Sequence, residues 1–91
     1  MNHEQRMGGW TTFETQITKE EQQVFETATK ELVGVGYKPV AVATQVVSGM
    51  NYRFFCNATP IIEHPTHEAA IVQIYQPLDG EATITEIKNV E

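Results

Sequence analysis

His64 and His67 stand three residues apart in His64-Pro65-Thr66-His67, a spacing at which two imidazoles can share a metal ion. Only Glu63 and Glu68 accompany them, and the surroundings read as a polar surface loop, so no metal site is expected. The one thiol, Cys56, is the other candidate for chemistry. It closes the run Tyr52-Arg53-Phe54-Phe55-Cys56 with apolar neighbours, nothing brings an imidazole beside it, and no loop supplies oxyanion donors. A buried, inert thiol is expected rather than a nucleophile. No catalytic residue, metal or cofactor is assigned, and the chain is not read as an enzyme.

What remains is a segment with little chemistry of its own. Gln45-Val46-Val47-Ser48-Gly49 places a small, weakly polar turn between two stretches that read as long strands. It holds no nucleophile backed by a base, no metal ligand and no charge, so its action, if any, must come from shape and backbone hydrogen bonding. That is the chemistry of binding.

The elements that must carry this turn are legible from periodicity. Thr18-Lys19-Glu20-Glu21 has the form of a capping box, so a helix begins at Lys19. Val24, Phe25, Ala28 and Leu32 fall on one apolar stripe while Glu20, Gln23, Thr27 and Lys30 face outward. Gly34, Gly36 and Pro39 are the expected stop, giving a helix of about four turns. Strands are expected over 40–47 and 51–58, the second with Tyr52, Phe54, Cys56 and Ala58 on one face, and Ser48-Gly49-Met50 joins them. A polar connection from Pro60 to Pro65 leads to a third strand around 70–75, partly buried on both faces. Gln76-Pro77-Leu78-Asp79-Gly80 is a turn, because proline presets its backbone angle and Asp-Gly tolerates positive φ. The return strand over 82–88 is polar, as an edge strand should be.

This order of helix, hairpin, connection and hairpin predicts an α+β fold: a meandering antiparallel sheet with its one long helix lying across it. The two turns then emerge at the same end. Residues 1–16 lack a clear period and contain Gly8-Gly9, so they read as an extended arm, flexible over 1–10 and free to join the turns.

Ninety-one residues support a single core, and one cysteine permits no internal disulfide, so residues 1–91 are read as one domain held by packing alone in a reducing compartment. A formal charge of −6 opposes binding to nucleic acid, and no apolar stretch is long enough to span a bilayer. The start Met1-Asn2-His3-Glu4 is too polar to be expected to act as a signal peptide. A cytoplasmic location is expected, or a secreted one if a signal has been removed. The acidic side chains read as a solvated surface.

A glycine pair in an N-terminal arm, a helix, a Gln-Val-Val-Ser-Gly tip and a second tip at Leu78-Asp79-Gly80, in that order, resemble the cystatins. The likeness runs from Arg6 to Val90 and is closest to the stefins, the single-domain cystatins without disulfides; Gln45 to Gly49 matches the family pattern Gln-x-Val-x-Gly, followed by Asn51-Tyr52. The resemblance implies an antiparallel sheet wrapped around one long helix. It also implies reversible, tight inhibition of papain-like, cathepsin-type cysteine proteases by a wedge that fills the active-site cleft uncleaved. By similarity, Arg6, Met7, Gly8 and Gly9 would occupy subsites on the acyl side, Gln45, Val46, Val47, Ser48 and Gly49 the centre, and Pro77, Leu78 and Asp79 the leaving-group side. Gly8 and Gly49 would allow close backbone approach, and a bulky residue at Gly49 would weaken inhibition without unfolding the chain.

Two features depart from the family, the first from its secreted members. The second tip has Pro77-Leu78 in place of a Pro-Trp pair, and Trp10 stands where a smaller aliphatic residue is expected; Trp10 is read as packing under the sheet edge rather than touching a protease. The other functional reading is an interaction module that uses the cystatin scaffold for a non-protease partner. The chain is expected to be a monomer, with the Val47-Ser48-Gly49 hinge as a route to a domain-swapped dimer.

Overall fold

The structure is a computed structural model that describes residues 8–90. It is a small α+β protein with one helix, α1 (Lys19–Thr29), and four strands: β1 (Val35–Val47), β2 (Gly49–Pro60), β3 (Glu68–Gln76) and β4 (Thr83–Val90). The strands form one antiparallel sheet in the order β1-β2-β3-β4.

α1 starts as its capping box requires. Thr18 Oγ1 accepts from the Glu21 amide at 3.1 Å, and the Glu21 carboxylate accepts from the Thr18 amide at 2.9 Å. It ends earlier than its pattern predicts, after 11 residues, or about three turns. Thr29 turns its hydroxyl back to the Phe25 carbonyl at 2.8 Å, and the Leu32 amide donates to the Thr29 carbonyl, closing a short turn. Leu32 therefore leaves the apolar stripe and is 37% exposed. Gly34 does take positive φ, +90°, but in the loop after the helix, and Gly36 lies within β1.

β1 is correspondingly longer than expected and passes through Pro39. Val35 to Lys38 pair with Pro60 to Asn57, and the register shifts between Pro39 and Ala41. That irregularity accommodates a residue with no amide hydrogen to give the ladder. Long-range pairing has here overridden the local Gly and Pro signals, because each paired residue satisfies backbone groups that a loop would leave to water.

Phe54, Cys56, Ala58, Val42, Val72 and Ile74 line the inner face of the sheet, each at most 5% exposed. Phe25 of α1 meets Phe54 edge-on, with ring centroids 5.0 Å apart, and Tyr52 stacks on Phe54 at 5.8 Å. Val24, Ala28 and Ile17 pack against the same cluster, so α1 lies across the sheet as its stripe requires. Burial, then the nearby Glu21 and Glu20, raises the pKa of Tyr52. β4 forms the exposed edge, with only Ile84 half-buried.

Of the arm read as flexible over 1–10, residues 1–7 lie outside the described residues. Residues 8–14 run antiparallel along the outer edge of β1, bridging Trp10 to Gln45 and Glu14 to Val42. Gly8 donates to Val46, Thr11 to Thr44, and Glu14 and Val42 exchange both backbone bonds, all between 2.8 and 3.0 Å. An edge that would otherwise be open is thereby covered. Arg6 and Met7 lie outside the described residues.

Candidate functional site

The candidate site begins with a very tight turn. Val47 pairs with Gly49, leaving Ser48 alone at the tip of the β1-β2 hairpin. Ser48 is exposed, Val46 and Val47 are half-buried, and Gly49 is buried with φ +103°. A Cβ built on Gly49 would sit 2.4 Å from the Gln76 carbonyl oxygen and 3.1 Å from the Pro77 Cα. The close approach that Gly49 permits within the molecule is therefore to the second hairpin: only glycine fits where the two tips join.

Tyr75 completes that joint by donating its hydroxyl proton to the Ser48 carbonyl at 2.5 Å. Gln76 shapes the second tip from within, its side-chain amide reaching the Pro77 carbonyl at 3.1 Å and the Gly80 carbonyl at 2.7 Å. Pro77 is half-buried against the first tip, Asp79 is exposed, and Leu78 projects with 82% of its surface open. The two tips stand side by side at one end of the sheet, as antiparallel topology demands.

The arm reaches the same end through Gln45. Its side-chain amide donates to the Gly8 carbonyl at 3.0 Å, while its side-chain oxygen accepts from Asn51 at 2.8 Å. Gly8 is held on its other side by the Val46 carbonyl. Gln45 thus acts as a fastener between arm, β1 and β2. Gly8 and Gly9 remain exposed beside it.

Ten of the sequence-predicted site residues fall within the described region, from Gly8 to Asp79, and the fold gathers them at one end; Arg6 and Met7 fall outside. The sequence names Asn51 only as following the family pattern and Gln76 only as part of a turn, and it assigns Tyr75 no role at the site. Asn51 was detectable as the cross-strand partner of Gln45, whereas the reach of Tyr75 to another hairpin has no local signature.

The remaining chemical candidates sit elsewhere. Cys56 is fully buried on the inner face, and burial pushes its thiol up to about 12. His67 shares a hydrogen bond with Thr59 at 3.2 Å. Among the described residues, no group of three or more His, Cys, Asp or Glu side chains comes together to hold a metal ion. No helix there is long and apolar enough to cross a membrane. What the gathered end presents is an edge of backbone, valine, serine and leucine.

No family model, curated protein or solved structure matches this chain.

Proposed function

We propose that this chain is a reversible, tight-binding inhibitor of papain-like cysteine proteases, built on a cystatin-like fold closest to the stefins. The observation that carries this reading is the convergence of three sequence-distant segments on one edge: Gly8 bonded to Val46 and Gln45, Ser48 bonded to Tyr75, and Gly49 packed against Gln76 and Pro77. A protease cleft is a groove, and a prefastened edge enters it with little loss of conformational freedom.

The wedge acts without covalent chemistry. Val46 and Val47 exclude water around the catalytic thiol, the Gly8 backbone enters on the acyl side, and Leu78 supplies the apolar contact on the leaving-group side. Ser48 lacks a base to activate it, and no bond of the inhibitor is required to break. Arg6 and Met7 extend the acyl-side contact.

Titration against papain tests the proposal. Stoichiometric loss of peptide hydrolysis, with recovery of intact inhibitor by mass after dissociation, is the expected result. Unchanged papain turnover at micromolar protein sinks the proposal and leaves the scaffold to a non-protease partner.

A further inference from the structure

We infer that Arg53 is the residue that locks the arm in register with the first tip, by clasping Trp10 over the outer face of the sheet. Its functional consequence rests on the inhibitory reading; its structural content does not.

The outer face is prepared for this clasp by two small residues. Ala41 and Ala43 of β1 lie opposite Phe55 and Arg53 of β2, on the side of the sheet away from α1. Both are nearly inaccessible, 8% and 2% exposed, although the helix covers the other face. Two aromatic rings of the arm reach the β2 partners of these alanines. Trp10 crosses to Arg53, whose guanidinium carbon stands 3.9 Å from the indole centroid, and Phe13 meets the Phe55 ring edge-on at 6.4 Å. A larger side chain at Ala43 would obstruct the crossing from arm to second strand.

Arg53 is itself held, because its Nε donates to the Gln73 side-chain oxygen on β3 at 3.0 Å. A planar guanidinium fixed in this way can stack on an indole face, which a flexible ammonium does less well. The position of Trp10 explains why this matters. It immediately follows Gly8-Gly9, the pair that loses most conformational freedom on ordering. Both glycines are exposed, and Gly8 is restrained by hydrogen bonds that water can replace. An anchor at Trp10 shortens the segment that those bonds must order to two residues.

Trp10 is the only tryptophan in the chain, so its fluorescence reports the clasp directly. Arg53→Met removes the cation at similar length, and Arg53→Lys retains charge without the planar stack. In Arg53→Met, acrylamide quenching of Trp10 should rise at least about twofold, and amide exchange at Gly8 and Thr11 should accelerate roughly three- to tenfold, with exchange at Phe54 and Val72 unchanged. Arg53→Lys should fall between the two forms. Unchanged quenching and exchange in Arg53→Met overturn the clasp.

Inhibition of papain is then compared for wild type and Arg53→Met, each with and without residues 1–8. The expected result is a three- to tenfold weaker Ki in the full chain, on the order of the cation–π contribution, and no difference between the truncated forms. Equal loss in both pairs overturns the positioning role, because Arg53 would then act through the sheet. If wild type fails to inhibit at all, the inhibitory reading falls, while quenching and exchange still decide the clasp.

Discussion

The thiol of Cys56 lies on the inner face of β2, directed to the Phe54 carbonyl oxygen at 3.4 Å. Burial raises its pKa from an ordinary 9.0 to about 12, which sets a pH dependence. Below about pH 9 the thiol keeps its proton in folded and unfolded chains alike; above it the unfolded chain gives up the proton first, so stability falls between pH 9 and about 12. Tyr52, also raised, adds the same sign above its ordinary 10.0. Urea midpoints should therefore drop on moving from about pH 8 to about pH 10.5, and Cys56→Ala should flatten part of that drop. A midpoint independent of pH across this window would contradict the burial argument. At neutral pH the native thiol should resist a thiol reagent that labels the unfolded chain at once.

Gly49 is constrained both by its own backbone and by its neighbours. Its positive φ and its contact with the Gln76 carbonyl mean that Gly49→Ala strains the joint between hairpins and destabilises the fold by about 1–3 kcal/mol. The measurement is an unfolding curve beside the papain Ki. A substitution at Gly49 is thus no clean probe of contact with a protease; Ser48, exposed at the tip, is the better one. Its glycine was visible in the pattern Gln-x-Val-x-Gly, but its partner was not, since nothing in residues 45–49 specifies what lies beside them.

Among the elements, α1 has its beginning written locally and its end decided elsewhere. The capping box needs only Thr18 and Glu21, the two ends of a four-residue turn, and Thr18→Ala should lower stability by about 1 kcal/mol without altering the Trp10 clasp. Thermal unfolding followed by far-ultraviolet dichroism measures the first, and Trp10 quenching the second. The helix ends before its pattern does: Leu32 fits the apolar stripe by spacing, while residues 35–38 pair with β2. For β2 and β3 the alternation of apolar residues was a reliable guide, because both faces are partly covered and a slip of one residue would turn Phe54 and Val72 outward.

For the whole molecule, the strands set the shape. Thirteen residues of β1 rise roughly 43 Å, close to the longest dimension of 44 Å, so the joined tips stand at one end of an elongated body. The Val47-Ser48-Gly49 turn is also its hinge. If it opened, β1 and α1 could exchange between two chains, so mild heating should produce a dimer by size-exclusion chromatography, with its first tip unmade and inhibition lost. A purely monomeric profile, or a dimer that still inhibits, would count against this exchange.

The sequence by itself determined the order of elements, the start of α1, the faces of β2 and β3, the two turns and the burial of Cys56. Each depends on neighbours within a turn or a pleat, where periodicity and residue type speak directly. Only the tertiary structure decided that the arm is laid along β1, that Gly49 is a joint between hairpins, that Gln45 fastens Gly8, and that Arg53 stacks on Trp10. Gln45 and Gly8 lie 37 residues apart, and contacts of that range depend on which strand edges and surface gaps the whole sheet leaves open. A local pattern carries no record of them.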